Sequence, residues 1–312
     1  MAEWHFTSRV ATMAIVGLVA LDVVLVATAL RSTQASGIDA RPVSTAAPSV
    51  ALGTASASPS PTASPGPASV PLQTMLVALD DQRAWRVQAG SCSAGGASTA
   101  TTKDGGKTWV NGSMKLQRIV RVRPQDSRIA FVIGADTSCA AELMNSGDGG
   151  STWSAGGSMD LAWFRDPKDS QVVRSPGSGT SEPCGKTAVL DLAVLTAGSA
   201  RVLCAEGVVR STTNNGAVWT DLGKVAGAVA LAVPTVSQAE TYVARVGVPD
   251  CAGVQILRVR QMVATSCIET SIPKGQEPQG QIAISLVKGG GWLSVGNATM
   301  RSTDDLATWK VS

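Results

Sequence analysis

Histidine is almost absent from this chain of 312 residues, because the only one is His5. Serine and cysteine nucleophiles commonly depend on a histidine base, and histidine is the commonest ligand of catalytic metals. A Ser-His-Asp centre, a Cys-His centre and a His-ligated metal site are therefore excluded from everything beyond the N-terminal residues. We expect no metal and no cofactor.

Charge is also scarce, since 16% of the residues are charged and the formal net charge is +3. A net charge this small does not provide the basic surface that nucleic acids require, so we expect no nucleic-acid partner. Hydrophobic residues make up 44% of the chain, which is enough to bury one sizeable core.

All six cysteines lie at or after Cys92, in the segment that would be exported. An even number of cysteines in such a segment indicates disulfides. A Cys-only zinc site would show closely spaced Cys-x-x-Cys pairs, and the sequence contains none. Cys251 and Cys267 flank a stretch that is typical of a hairpin, which favours their pairing. Cys184–Cys204 and Cys92–Cys139 then remain, as one assignment among fifteen connectivities.

Residues 10–30 form a nearly unbroken apolar run, interrupted by Asp22. At ~1.5 Å per residue the run can cross a hydrocarbon core of ~30 Å. Its length favours an uncleaved transmembrane signal-anchor, with residues 1–9 as a short cytoplasmic tail. The alternative is a cleaved signal and a secreted product, because Ala27-Thr28-Ala29 resembles a cleavage site.

The next stretch, residues 31–71, is rich in Pro, Ser and Ala and lacks the large apolar groups that a folded segment needs. We predict a disordered linker there. It would hold a folded domain, residues 72–312, on the extracytoplasmic side of the cell membrane.

A short turn occurs four times in that domain. It reads TTKDGGKTW at 101–109, NSGDGGSTW at 145–153, STTNNGAVW at 211–219 and RSTDDLATW at 301–309. We call these four segments the repeated turns. The Asp or Asn accepts hydrogen bonds from the backbone, the Gly suits a positive φ, and the Trp is an apolar anchor. Leu306 replaces the Gly in the fourth turn. The residues with these structural roles are Asp104, Gly106, Trp109, Asp148, Gly150, Trp153, Asn214, Gly216, Trp219, Asp304 and Trp309.

A second repeat, Pro-x-Asp-Ser, begins at Pro124 and again at Pro167, and we interpret both copies as the same inner turn of a blade. The second copy includes the sequence WFRDP of residues 163–167, which we therefore assign to that turn. The separation of the two prolines, and that of the first two repeated turns, fits a four-stranded propeller blade of ~40–45 residues. We predict six blades, at 73–113, 116–157, 159–187, 188–223, 225–272 and 280–312, with seven blades as the alternative.

The repeated turns resemble the Asp-boxes (BNR repeats) of β-propellers. Families with these boxes include sialidases, sortilin-type receptors and the photosystem II assembly or stability factors. The resemblance implies that residues 72–312 are an all-β Asp-box β-propeller. It also implies that the boxes join the outer two strands of a blade and have a structural role.

The resemblance to sialidases implies a Tyr nucleophile paired with Glu, together with three arginines. The only Tyr is Tyr242, which follows Glu240 by two residues and precedes Arg245 by three. We interpret it as an ordinary residue of a blade strand and expect no enzyme. The alternative is a sialidase-like glycan hydrolase or a glycan-binding lectin.

Arginines alternate along two predicted strands, at Arg121 and Arg123 and at Arg258 and Arg260. Alternate residues share one face of a strand. The plain interpretation is a solvated face; the sharper hypothesis is a patch that grips carboxylates. The photosystem II assembly factors resemble this chain in having an arginine-rich binding patch. We therefore expect a membrane-anchored, non-enzymatic scaffold for protein interaction or assembly, with a protein partner at the membrane or cell surface.

Overall fold

The structure, a computed structural model, describes residues 70–177, 179–235, 237–270 and 278–312. The predicted cytoplasmic tail, the transmembrane segment and the linker up to residue 69 lie outside the described residues. Within the described part, no helix is long and apolar enough to span a bilayer. All of the described residues belong to one compact unit, Ala63–Ser312.

The described residues form six antiparallel sheets, numbered here as blades 1 to 6. Blade 1 contains β1 (Thr74–Ala78), β2 (Ala84–Gln88), β3 (Ser98–Thr102) and β4 (Val110–Gly112). Blade 2 contains β5 (Arg118–Pro124), β6 (Ala130–Ala135), β7 (Ala141–Ser146) and β8 (Ser154–Ala155). Blade 3 contains β9 (Phe164–Arg165), β10 (Val173–Ser175) and β11 (Gly179–Ser181).

Blade 4 contains β12 (Val189–Val194), β13 (Ala200–Cys204), β14 (Val208–Thr212) and β15 (Thr220–Lys224). Blade 5 contains β16 (Ala228–Ala232), β17 (Tyr242–Arg245), β18 (Gly253–Arg258), β19 (Val263–Ala264) and β20 (Ile268–Glu269), the last paired with β18. Blade 6 contains β21 (Ile282–Val287), β22 (Gly290–Val295), β23 (Ala298–Ser302) and β24 (Lys310–Val311).

The six blades follow one another around a ring. Successive blades contact each other through the strand pairs β1 and β5, β5 and β9, β9 and β12, β12 and β16, and β16 and β21, and β21 returns to β1. The prediction of an all-β, six-bladed propeller is confirmed. Every predicted blade segment coincides with one sheet, apart from Lys224, which lies one residue past the predicted end of blade 4.

Burial within a blade follows the position of the strand. The second strands β13 and β22 are buried along their whole length, because each blade stacks on two neighbours. Strands buried on both faces are mainly apolar rather than alternating, as in VLC of β13 and WL of β22. The outermost strands β8 and β24 are exposed. The core therefore lies between adjoining blades.

The repeated turns share one hydrogen-bond pattern, which the second of them illustrates. The Ser146 hydroxyl donates to Oδ1 of Asp148 (2.9 Å) and accepts from the amide of Gly150 (2.8 Å). Oδ1 of Asp148 then accepts from the amide of Thr152 (3.0 Å). The same bonds recur with Asp104, Asn214 and Asp304 as the acceptors. Leu306 adopts a φ of 69° where the other turns have Gly.

Each repeated turn also bonds to the turn between the first two strands of its own blade. The donor amides and acceptor carbonyls are Gly105 and Gln82 (2.9 Å), Gly149 and Arg128 (2.8 Å), Asn215 and Gly198 (3.0 Å), and Asp305 and Gly289 (3.0 Å). These two kinds of turn therefore lie together on one face of the ring, which we call the turn face. The opposite face has the loops between second and third strands and the connections between blades.

Tryptophan joins neighbouring blades at the turn face. In three blades the Trp of the repeated turn packs edge-on against a Trp of the preceding blade. The pairs and centroid distances are Trp153 and Trp85 (6.0 Å), Trp109 and Trp292 (6.4 Å), and Trp219 and Trp163 (6.1 Å). Aromatic pairs prefer such edge-to-face geometry. The turns thus fix the angle between blades as well as their own hairpins.

Three disulfides are present, in the pairing that the sequence favoured, with Cα–Cα distances of 5.4, 5.5 and 5.4 Å. Cys92–Cys139 joins loops of blades 1 and 2 on the opposite face. Cys184–Cys204 joins the end of blade 3 to β13 of blade 4, and Cys251–Cys267 closes a hairpin within blade 5. Two of the three bonds therefore tie neighbouring blades together.

Candidate functional site

Among the described residues, blade 3 has no counterpart of the innermost strand that the other blades have. The turn between β10 and β11 bonds to Asp160, since the amide of Gly177 donates to the Asp160 carbonyl (2.7 Å). Asp160 therefore takes the position that Gln82 and Gly289 have in the turns between first and second strands. A Trp follows each of these residues three positions later. It is Trp163 after Asp160, Trp85 after Gln82 and Trp292 after Gly289. Strand β9 thus corresponds to a second strand, and the chain enters blade 3 at the turn face.

The direction of β9 agrees with this assignment. Its start is near the turn face, where Nε1 of Trp163 donates to the carbonyl of Ala197 (2.7 Å). Its end is near the opposite face, where the amide of Val189, the first residue of β12, donates to the carbonyl of Ser170 (2.8 Å). Strand β9 therefore runs opposite to β5 and β12, and a gap remains between those two inner strands. We call this space the strand gap.

The interpretation of WFRDP as a copy of the turn after β5 is wrong. The turn that contains Pro124 lies on the turn face, whereas Pro167 lies on the opposite face, where its carbonyl accepts from Nη1 of Arg118 (2.8 Å). Pro-x-Asp-Ser is a local signal, because the Asp caps the backbone amides that follow it in either turn. It does not distinguish the two faces of the ring.

Arginines of β5 replace part of the missing strand. Arg118 donates to the Pro167 carbonyl, and Arg121 donates to the Trp163 carbonyl from the same side of β9. The guanidinium of Arg121 also lies over the ring of Phe131, 5.2 Å from its centroid. Arg121 is therefore half-buried and engaged with blade 3, so its guanidinium has a structural role.

A cavity of 460 Å³ lies at the centre of the ring and extends into the strand gap. Its walls are the inner strands β1, β5, β12, β16 and β21, with apolar side chains such as Leu76, Val122 and Leu286. The turns that contain Leu79 and Pro234 form the mouth, so the cavity opens on the turn face.

The floor of the cavity contains a buried cation. Arg165 is 6% exposed and donates to the carbonyls of Leu190 (3.0 Å) and Leu72 (3.4 Å). The amide of Leu72 donates to the same Leu190 carbonyl (3.0 Å), so the chain leading into β1 crosses the channel to blade 4. The cavity is therefore closed on the opposite face.

Three arginines and one carboxylate line the cavity, namely Arg121, Arg123, Arg165 and Asp191. Burial lowers the pKa of Arg121 to about 9, with the nearby charge of Arg123 adding to the shift. Burial lowers the pKa of Arg165 to about 10, an effect that Asp191 opposes. Arg121 and Arg165 are therefore both charged at neutral pH.

Asp191 does not neutralise this charge. Its carboxylate accepts from the amides of Leu192 and Leu231 (both 2.8 Å), and it forms no ion pair with a described cation. Burial raises the pKa of the Asp191 carboxyl. The cavity thus offers more positive than negative charge against apolar walls, which suits an anionic group on an apolar stem.

Arg123 differs from Arg121, two residues earlier on the same strand. Its side chain is exposed at the mouth, with no hydrogen bond or ion pair to the described residues. An exposed, unpaired guanidinium retains its full set of donors for a carboxylate. The alternating pair therefore divides into one arginine that holds blade 3 and one that faces outward.

The second arginine pair lies across the ring, in blade 5. Nε of Arg258 donates to the Tyr242 hydroxyl (3.1 Å) and Nη1 pairs with Glu240 (3.3 Å), while Arg260 is exposed beyond the end of β18. The Tyr242 hydroxyl donates to Oε2 of Glu240 at 2.6 Å. Arg258 is thus already neutralised, and the two predicted arginine pairs do not form one continuous patch.

Tyr242 has the Glu neighbour that the sialidase alternative requires but not the location. It is 9% exposed, packs in the main core and does not line the central cavity. Burial raises its pKa, and the hydrogen bond to Glu240 adds to the shift. A nucleophilic phenol needs the opposite shift and access to substrate.

Sequence reasoning missed Arg165 and Asp191. Arg165 lies in WFRDP, which the sequence analysis assigned to a turn, and Asp191 is one carboxylate in an apolar strand. The Trp shared by positions 85, 163 and 292 is the signal that places Arg165 two residues into a second strand. In the described part of the chain, no group of three or more His, Cys, Asp or Glu side chains could hold a metal ion.

No protein-family model matches the chain, and no curated protein matches it. A solved structure described as YCF48 bound to D1 peptide is similar over 78% of this chain and 68% of that one, at 18% identity and a TM-score of 0.30. The Aleuria aurantia lectin is similar over 77% of this chain and 94% of its own, at 10% identity and a TM-score of 0.48. A xyloglucanase from Xanthomonas campestris is similar over 76% of this chain and 38% of its own, at 15% identity and a TM-score of 0.30. At these identities the likeness concerns the propeller fold alone, and the function has to be argued from this chain's own residues.

Proposed function

We propose that the chain is a non-enzymatic, membrane-anchored scaffold for protein interaction or assembly, which holds an acidic segment of a protein partner at the mouth of the central cavity. The observation that carries the proposal is the pair Arg123 and Arg165. One is exposed and unpaired within the described residues, the other is buried in the floor, and both line one cavity with apolar walls. Guanidinium groups bind carboxylates bidentately, and a low-dielectric wall strengthens that attraction.

The anchor and location form part of the same proposal. Residues 10–30 would cross the cell membrane and hold the propeller on the extracytoplasmic side. The three disulfides support this location, because disulfides persist in oxidising compartments. We also propose that the repeated turns are Asp-boxes, since each joins the outer strands of a blade and closes on its own Asp or Asn.

Cross-linking in the native membrane tests the proposal. The tagged full-length protein is compared with Arg123→Glu, which reverses a charge at the mouth, and with Arg128→Glu. Arg128 is equally exposed on a turn of the same blade but does not line the cavity. We expect a defined protein partner that is lost in Arg123→Glu and retained in Arg128→Glu, while both variants keep the melting temperature of the parent.

An identical set of cross-linked proteins in all three samples would contradict the proposal. The glycan alternative has its own readout, because a lectin or hydrolase would bind or cleave sugars without any protein partner. Cleavage of a fluorogenic sialoside by the purified full-length protein, abolished in Tyr242→Phe, would replace the scaffold function by an enzymatic one.

A further inference from the structure

The free edge of β9 borders the strand gap. In the part of the chain that the structure describes, strand β9 pairs with β10 alone, and the amide of Asp166 donates to the carbonyl of Val172 (2.9 Å). Hydrogen-bonded and non-hydrogen-bonded pairs alternate along an antiparallel ladder. Arg165, opposite Val173, therefore directs its backbone N–H and C=O away from β10 and toward the position of the missing strand.

The groups on either side of Arg165 are already satisfied. The Trp163 carbonyl accepts from Arg121, and the Pro167 carbonyl accepts from Arg118, as described above. Proline has no N–H to satisfy. Side chains of β5 thus cap both ends of the free edge and leave between them one residue whose backbone donor and acceptor have no partner among the described residues.

We propose that the strand gap is the binding site for a short extended segment of an acidic partner, which adds to β9 as the innermost strand of blade 3. This inference rests on the proposed function and specifies its mode of binding. The guest would run in the direction of β5 and antiparallel to β9, as the first strands of the other blades do. One of its residues would exchange both backbone hydrogen bonds with Arg165.

The charged side chains that line the cavity favour an acidic guest segment. Of the charged side chains that line the cavity, three are arginines and one is Asp191, so acidic residues gain and basic residues lose on entry. Alternate side chains of an added strand point to the same face, which lets one acidic residue approach Arg123 at the mouth while its apolar neighbours contact the walls. Main-chain bonds supply affinity, and the arginines supply specificity.

Peptide binding to the detergent-solubilised full-length protein tests the mode. The probe is acetyl-Thr-Val-Glu-Val-Thr-amide, with Gln in place of Glu as the charge control. Two further versions are N-methylated, one at both Val residues and the other at both Thr residues and Glu. Only one of these two sets can point its N–H groups toward β9, so the comparison does not require the register to be known.

We expect the Glu peptide to bind. The Gln peptide should bind at least about tenfold more weakly, because it loses a charge-assisted contact. Only one of the two N-methylated peptides should lose affinity, by at least about tenfold, because only that one loses hydrogen bonds to β9. Amide exchange at Arg165 should slow in the complex, and Arg123→Glu should weaken binding where Arg128→Glu does not. These results together would establish strand addition.

Several outcomes would overturn it. Equal binding of both N-methylated versions, with unchanged exchange at Arg165, would mean that the anionic peptide binds without joining the sheet; the proposed function would then stand and strand addition would fall. Slow exchange at Arg165 before any peptide is added would show that the edge is already occupied. No binding of any peptide would reject the mode, while the cross-linking experiment would judge the function separately.

Discussion

Blades 1 and 3 contain the same kind of Trp at the same position but differ in what surrounds it. In blade 1, Trp85 lies in a four-stranded sheet and contacts the repeated turn of blade 2. In blade 3, Trp163 begins a three-stranded sheet whose inner neighbour is absent. Its carbonyl is held by Arg121 and its indole by the turn of blade 4. A blade in this ring can therefore lose a strand, provided that neighbouring side chains satisfy the exposed edge.

The difference shows where the molecule is specialised. Blade 1 has a complete ladder and a self-closing turn, which are local in sequence, in addition to its contacts with blades 2 and 6. Blade 3 depends on contacts from blades 2 and 4 and on the disulfide Cys184–Cys204. The same departure that weakens blade 3 creates the strand gap. The missing inner strand thus makes blade 3 irregular and also creates the candidate binding site.

Replacing the two tryptophans gives the largest expected effect. Trp163 and Trp85 are 1% and 3% exposed, and truncation of a buried Trp to Ala costs about 3–5 kcal/mol. We expect Trp163→Ala to lie at the upper end, because it also removes the hydrogen bond to Ala197 and releases blade 3 from blade 4. Urea unfolding of the oxidised protein measures both variants. A greater loss in Trp85→Ala would show that blade 3 is not the more dependent blade.

The alternating arginines of β5 give the next effect. Arg121→Ala leaves the Trp163 carbonyl without its donor and should lower the free energy of unfolding by about 1–3 kcal/mol. Arg123→Ala should change it by less than about 0.5 kcal/mol, since the side chain is exposed and unpaired within the described residues. Arg121→Met keeps an apolar side chain of similar length and removes only the guanidinium, with its hydrogen bond and its contact with Phe131. Equal melting temperatures for the two Ala variants would refute a structural role for Arg121.

Acid stability gives the smallest expected effect and distinguishes the blades that have a repeated turn from blade 3. Hydrogen bonds from Thr152 and Ser146 lower the pKa of Asp148 from 3.8 to about 2. The folded state favours the ionised carboxylate. Its contribution to the free energy of unfolding is therefore complete above pH about 4 and is lost as the pH falls toward 2. Asp148→Asn should flatten this part of the stability curve.

Asn214→Asp provides the reverse change in blade 4, with a smaller expected effect, because Val218 there has no hydroxyl to donate as Thr152 does to Asp148. It should add acid-sensitive stability over the same pH range. Thermal melting between pH 2 and 6 measures both variants. Unchanged acid sensitivity in both would show that the turn carboxylates contribute nothing measurable.

The sequence predicts those parts of the fold whose causes are local. Asp148 closes a turn with residues two to four positions away, so its pattern identifies a blade wherever it occurs. The missing strand has no such motif. Residues 154–162 read SAGGSMDLA, which lacks a run of β-branched residues, but this becomes informative only once Trp163 is recognised as the start of a second strand.

The candidate site was predictable in part for the same reason. Arg123 follows from alternation along one strand, and the structure places it at the cavity mouth. Arg165 and Asp191 come from blades 3 and 4 and meet through the closure of the ring, which no local spacing encodes. Arg121 alternates with Arg123 along β5, but its guanidinium donates to the Trp163 carbonyl. That carbonyl is available because blade 3 has no inner strand among the described residues.

The crossing of Leu72 beneath the cavity has a mechanical consequence. Tension on the residues that precede it would load the Leu72–Leu190 and Arg165–Leu72 hydrogen bonds before it reached the ladder of β1. A pull from that end would therefore be felt first by the guanidinium in the floor of the cavity. The chain that enters the ring is thus mechanically coupled to the floor of the central cavity.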